Sequence, residues 1–169
     1  MFNKLIKLGL CSITLLTMTA CGNRGTQKPK TANDIDFKSS EFKDISDIEN
    51  ANYVKDAQLF DKINRLSIKN QKSSTTSKER SVIILKYLED LYKLASSRVS
   101  TDLGDLYTYS DTYQNYIATL QSYCEYYGRD IKNIKDHIQD EDFDTKKQPL
   151  FIVAGDMEDF YKKVLEQIE

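Results

Sequence analysis

At 169 residues the chain is long enough for one domain with a core of ordinary size, and its 24 basic against 26 acidic side chains lack the basic excess of a nucleic-acid face. Two prolines, six glycines and no tryptophan suit long helices better than a turn-rich β-sandwich.

Lys4 and Lys7 give a positive start, and Leu8 to Ala20 follows as a mostly apolar run without charge. Crossing about 30 Å of hydrocarbon takes roughly 20 apolar residues; this run is shorter and holds Ser12, Thr14, Thr17 and Thr19. A basic start, a short apolar middle and a small-residue end are the parts of a secretory signal peptide. A cysteine follows the small residues, and Met18-Thr19-Ala20-Cys21 resembles the lipobox of bacterial lipoproteins, with Met18 where that pattern usually has Leu. Cys11 is a poor rival, because cleavage there would cut the apolar run in half. The resemblance implies cleavage before Cys21, a diacylglycerol thioether on its sulfur and a further acyl chain, such as palmitate, on its amine. Two chains anchor stably where one binds only marginally. It also implies a place in the bacterial cell envelope, on the extracytoplasmic side. Gly22 in place of an Asp retention signal favours the outer membrane if the source has two. The alternative is a soluble secreted protein with an incidental cysteine after its cleavage site.

Loss of Lys4 and Lys7 with the leader leaves 22 basic against 26 acidic side chains, a net charge of −4. Cys11 leaves too and Cys21 is acylated, so Cys124 is the one thiol remaining and no intrachain disulfide is expected. The expected organisation is a signal peptide over 1–20, a lipidated Cys21 with a flexible tether over 21–43, and a helical bundle over 44–169. A tether of about 20 residues reaches roughly 25 Å.

From about Ile45 to Ile68 the apolar positions Ile45, Ile48, Val54, Ala57, Phe60, Ile63 and Leu66 step by threes and sixes, which predicts a helix. Lys69 to Ser77 reads as a loop. Thr76-Ser77-Lys78-Glu79 matches a capping box and opens a second helix running to about Val99, with Ile84, Leu85, Leu88, Leu91, Tyr92 and Ala95 on one face. A third helix is expected over Asp105 to Tyr127, stopped by Gly128 in the left-handed conformation. Ile131, Ile134 and Ile138 then suggest a short fourth helix. Gln139 to Gln148 reads as a charged loop, and Pro149 suits the first turn of a last helix carrying Phe151, Ala154, Met157, Phe160 or Tyr161, Val164 and Ile168. Leu150 to Val153 has a strand as its alternative. The whole is an all-α fold, a small antiparallel bundle of three to five helices.

Tyrosines are the most unusual feature. At 100° per residue Tyr109, Tyr113, Tyr116, Tyr123 and Tyr127 fall on one face of the third helix, while Tyr107 and Tyr126 point elsewhere. The stripe reads first as a core seam with hydroxyls at its edge, and second as an aromatic surface for a protein or glycan. Tyr107 and Tyr126 are the better surface candidates. Cys124 reads as a small core residue, with an intermolecular disulfide or a reactive thiol as alternatives. His137 and Glu141 are one helical turn apart, a loose pattern for a metal. Asp140, Asp142 and Asp144 open like an EF-hand calcium loop, but Thr145 stands where that loop needs Gly and Phe151 where it needs Glu. No metal or other cofactor is expected, and no glycine-rich phosphate loop or nucleophile elbow is present.

Three functional readings follow. The first is a membrane-anchored, non-catalytic interaction module for another envelope or incoming protein, which predicts a filled core and an apolar or charged outer patch. The second is a small-molecule or glycan binder, which predicts a pocket lined by Tyr113, Tyr116 or Tyr123. The third is a carboxylate enzyme, which predicts two acids converging in a cleft.

Overall fold

The computed structural model describes residues 48–101 and 103–168; the lipobox, Cys21, the tether and Ile45 lie outside them. The described chain is all-α, with α1 over Ile48–Ser73, α2 over Ser77–Val99, α3 over Asp111–His137 and α4 over Pro149–Ile168. Single 3₁₀ turns at Leu106–Thr108 and Thr145–Lys147 lie in the two longer connections. Leu150 to Val153 form the first turn of α4 behind Pro149, so the strand alternative is not realised.

Side-chain contacts fix the directions. Arg98, near the end of α2, reaches Asp56 near the start of α1. Glu49 at the start of α1 accepts from Ser110 at the start of α3, from its backbone N–H and its hydroxyl, both at 2.6 Å. Tyr116, early in α3, meets Tyr161, late in α4. Successive helices therefore alternate in direction, each packs on the next, and α4 returns against α1 to close an antiparallel four-helix bundle.

Local chemistry sets the helix starts. The Thr76 hydroxyl accepts from Glu79 N–H at 3.1 Å, and the Glu79 carboxylate accepts from the N–H groups of Thr75 and Thr76. The Thr75 backbone bond, more than any other contact, holds the Glu79 carboxyl below its ordinary pKa. Such a cap contributes about 1 kcal/mol. Ser110 caps α3 in the same way, accepting from Tyr113 N–H at 3.1 Å.

Four boundaries or faces differ from the sequence expectation. Lys69 to Ser73 belongs to α1, because nothing in that stretch breaks a helix and only Ser74, Thr75 and Thr76 are needed to turn. The third helix begins at Asp111 rather than Asp105, after the 3₁₀ turn capped by Asp105. It runs through Gly128 to His137, so the expected short fourth helix is its second half; among the described residues the left-handed glycine is Gly104, at φ 65°. Finally, Ile48 and Leu66, expected on the buried face of α1, are 56% and 57% exposed. Steps of three residues rotate by about 60° backwards per step, so the stripe drifts off the core. The buried line of α1 is instead Tyr53, Asp56, Ala57, Phe60 and Ser67.

The core is one cluster contributed by all four helices. Leu88, Leu91 and Ala95 of α2, Ile117, Leu120 and Ile134 of α3, and Leu150, Met157 and Val164 of α4 are completely or almost completely buried in it. Tyr53, Tyr116, Phe160 and Tyr161 make an aromatic cluster nearer the first turns of α1.

Candidate functional site

The tyrosine stripe of α3 lies inside the bundle. Tyr113 and Tyr123 have no exposed surface and Tyr116 has 3%. Each hydroxyl has a partner from the chain. Asn52 donates to Tyr113 Oη at 2.7 Å, and Tyr123 Oη donates to the Leu88 carbonyl at 2.8 Å. Tyr116 Oη donates to Asp56 Oδ2 at 2.6 Å and stands 3.0 Å from Tyr161 Oη. With its one proton committed to Asp56, Tyr116 accepts from Tyr161. Burial, first of all, pushes the Tyr116 and Tyr123 phenols well above their ordinary pKa. The three tyrosines expected to line a pocket are thus packed on all sides, and their aromatic faces serve the core.

Asp56 and Arg98 are the centre of this interior network. Arg98 donates through Nε and Nη2 to the two Asp56 oxygens, both at 2.8 Å, and the two residues are 9% and 2% exposed. Asp56 therefore accepts from Arg98 twice and from Tyr116 once. A forked guanidinium matches a carboxylate in geometry, and the phenol satisfies a further lone pair, which is what a dry carboxylate requires. The bond to Asp56, before any other influence, holds the guanidinium above its ordinary pKa. The sequence reading missed this pair. Its one visible sign was position: Asp56 sits among Tyr53, Ala57 and Phe60, and Arg98 follows Leu91, Leu94 and Ala95 at helical spacing.

Tyr107 and Tyr126 take different positions. Tyr107 is 82% exposed on the 3₁₀ turn between α2 and α3, its backbone N–H held by the Asp105 carboxylate at 3.0 Å. Tyr126 is half-buried under the Arg129 guanidinium, whose carbon lies 4.4 Å from the ring centre.

The remaining candidates are structural or solvated. Cys124 is half-buried, and burial pushes its thiol above the ordinary pKa. Since the thiolate is the reactive form, alkylation of Cys124 by iodoacetamide at pH 8 is expected to run at least about tenfold slower than that of an exposed thiol peptide; equal rates would refute this. His137 Nδ1 stands 2.8 Å from Asp140 Oδ2, both on the surface. Asp144 caps the second 3₁₀ turn by accepting from Lys146 N–H. Among the described residues no cluster of three His, Cys, Asp or Glu side chains is close enough to hold a metal ion, and no helix is long and apolar enough to cross a membrane. Asp156 is raised by partial burial and then by Asp159, one helical turn along α4, with both residues exposed.

Two exposed apolar side chains, Leu66 and Val82, stand between α1 and α2 toward the end where these helices are joined. A hollow of about 310 Å³ has Ile63 and Leu66 on one wall and Val82, Ile83 and Tyr87 on the other. A wider hollow continues from it past Asn70 to the Ser74–Thr76 turn, sharing Val82 and Ile83. Leu66 and Val82 are 57% and 58% exposed there. Comparison of the chain with family models, curated proteins and solved structures finds no match.

Proposed function

We propose that this chain is a lipid-anchored, non-catalytic protein-interaction module of the bacterial cell envelope, held to a membrane through Cys21. The observation that carries the reading is where the apolar groups stand. The tyrosine seam is closed, while Leu66 and Val82 face solvent across a groove between α1 and α2. Exposed apolar surface beside a filled core is the pattern of a docking face. Anchoring suits such a module, because confinement near the bilayer raises its effective concentration toward partners there.

The test has two arms in cells. Metabolic labelling with a palmitate analogue is expected to mark the chain and to be lost in Cys21→Ser; persistence of the label would remove the anchor from the proposal. A photo-crosslinking residue at Tyr107, and separately at Tyr126, is expected to give a recurrent protein adduct identified by mass spectrometry. No adduct at either site, in protein shown to be folded and lipidated, would count against an interaction module.

A further inference from the structure

Every exposed side chain of α1 is apolar, neutral or cationic. Lys55, Lys62, Arg65, Lys69 and Lys72 face outward, with Leu59 at 40% exposure and Ile48 and Leu66 above half. The acids of the helix are Glu49, Asp56 and Asp61, and each is occupied: Glu49 by Ser110, Asp56 by Arg98 and Tyr116, Asp61 by Arg65. Lys55, Lys62, Lys69 and Lys72 form no ion pair among the described residues. At 100° per residue Ile48, Leu59 and Leu66 fall within about 20° of one direction, and Lys55, Lys62 and Lys69 within about 60° on one side of it. That lysine line is about 21 Å long. The neighbouring helices differ. The exposed charges of α4 are Asp156, Asp159 and Glu166 against Lys162, while α2 pairs Lys86 with Asp90 and Lys93 with Glu89. In a chain with more acids than bases, α1 therefore carries a segregated basic face edged with apolar groups.

Resting on the membrane-anchored half of the proposed function, we infer that this outer face of α1 lies on a bilayer leaflet that carries anionic phospholipid. Cations beside exposed apolar groups along one helical line are what a helix lying in an interface presents. The ammonium groups reach the headgroup phosphates, while the lysine stems and Ile48, Leu59 and Leu66 settle into the interfacial layer. The negative surface potential draws such a row in from about a Debye length away. Two observations favour lipid over an acidic protein. The face is the convex ridge of a single helix, which suits a broad flat surface better than a partner's side chains. The expected anchor at Cys21 also stands 27 positions before Ile48, so the chain enters the bundle from the bilayer through this same helix. Confinement there lets a contact persist that would be weak for a free protein. The face borders the α1–α2 groove at Leu66, so a protein docked in that groove is met along the bilayer surface.

The test uses the chain purified from cells with its anchor intact, placed in nanodiscs of zwitterionic phospholipid or of the same lipid with about one third phosphatidylglycerol. A photo-crosslinking residue replaces Gln58, exposed on the same side of α1, or Ile152, exposed on α4. Mass spectrometry is expected to find at least about tenfold more lipid adduct from position 58 in the anionic discs than in the zwitterionic ones, with the excess fading as salt rises. Position 152 should give little adduct in either. Joint Lys62→Glu and Lys69→Glu should bring the yield at position 58 down to the zwitterionic level, and Leu59→Ser should lower it about threefold. Both changes lie on the surface, so the circular dichroism of each variant should match wild type. Equal yields in the two lipids, equal yields at positions 58 and 152, or no effect of the lysine reversal overturns the inference. So does capture at position 58 of another protein or of a second copy of the chain in place of lipid. Palmitate labelling at Cys21 together with failure here would sink the face and leave the anchor standing. If Cys21 carries no lipid, flotation of the chain with anionic but not zwitterionic vesicles, lost on the lysine reversal, would uphold the face without the anchor.

Discussion

Replacing Arg98 with Met is expected to destabilise the bundle by about 3–5 kcal/mol, the range for leaving one partner of a buried ion pair alone. Asp56 is 2% exposed and its nearest cation is the Arg98 guanidinium, 2.8 Å away. Once that fork is gone, the Tyr116 hydroxyl is the one donor left to the carboxylate among the described residues. The charge must then remain in a dry site or be quenched by a proton, and either outcome disfavours folding. Urea titration followed by circular dichroism reads the loss, together with a fall in Tm of roughly 10–20 °C. Adding Asp56→Leu should restore more than half of the stability, since an apolar pair of similar volume replaces a buried ion pair at little net change. A single-variant loss under about 1 kcal/mol, or a double variant as unstable as the sum of its parts, would show that the pair does not act as a unit.

How much of this was legible in advance depended on whether the deciding interaction was local. Thr76 and Glu79 face each other across one turn, so the start of α2 could be read from four residues, and the capping bonds stand where the pattern put them. Gly128 shows the opposite. A glycine after a tyrosine-rich helix reads as a stop, yet continuing the helix carries Ile134 into complete burial. Burying an isoleucine contributes about 1.5–3 kcal/mol, against about 1 kcal/mol for a glycine in a helix interior. Distant packing outweighed the local signal. The same holds for Leu66, whose step of three from Ile63 looked amphipathic, although rotation had already carried it out of the core.

The interior network was hidden for a related reason. Asp56 and Arg98 are 42 positions apart, and each is one charge among many. Only the antiparallel register of α1 and α2 shows that they meet. The groove was hidden in the same way, since Leu66 and Val82 are ordinary residues on separate helices. The composition of α3, on the other hand, did announce a tyrosine seam, and the structure adds which hydroxyl meets which acceptor.

Phe160→Ala is expected to be as damaging as loss of Arg98, at about 3–5 kcal/mol, through packing rather than charge. The ring is 4% exposed and stacks on Tyr116 at 4.6 Å between ring centres, with Tyr53 at 5.4 Å and Tyr161 at 5.8 Å. Truncation opens a cavity where α1, α3 and α4 meet, and these stiff rings cannot close it without leaving their rotamers. Tyr161→Phe is the control: it keeps the volume and removes only the hydroxyl that donates to Tyr116, so a loss of about 1 kcal/mol is expected. Near-UV circular dichroism should report the loosened tyrosines in Phe160→Ala and stay close to wild type in Tyr161→Phe. Equal losses in the two variants would mean that the hydroxyl chain, and not ring packing, holds this end of the bundle. Val82→Glu is the converse substitution, made at an exposed position outside the core, and should leave stability within about 0.5 kcal/mol of wild type. Lost stability in Phe160→Ala beside retained stability in Val82→Glu would separate the residues that build the bundle from one that only lies on its surface.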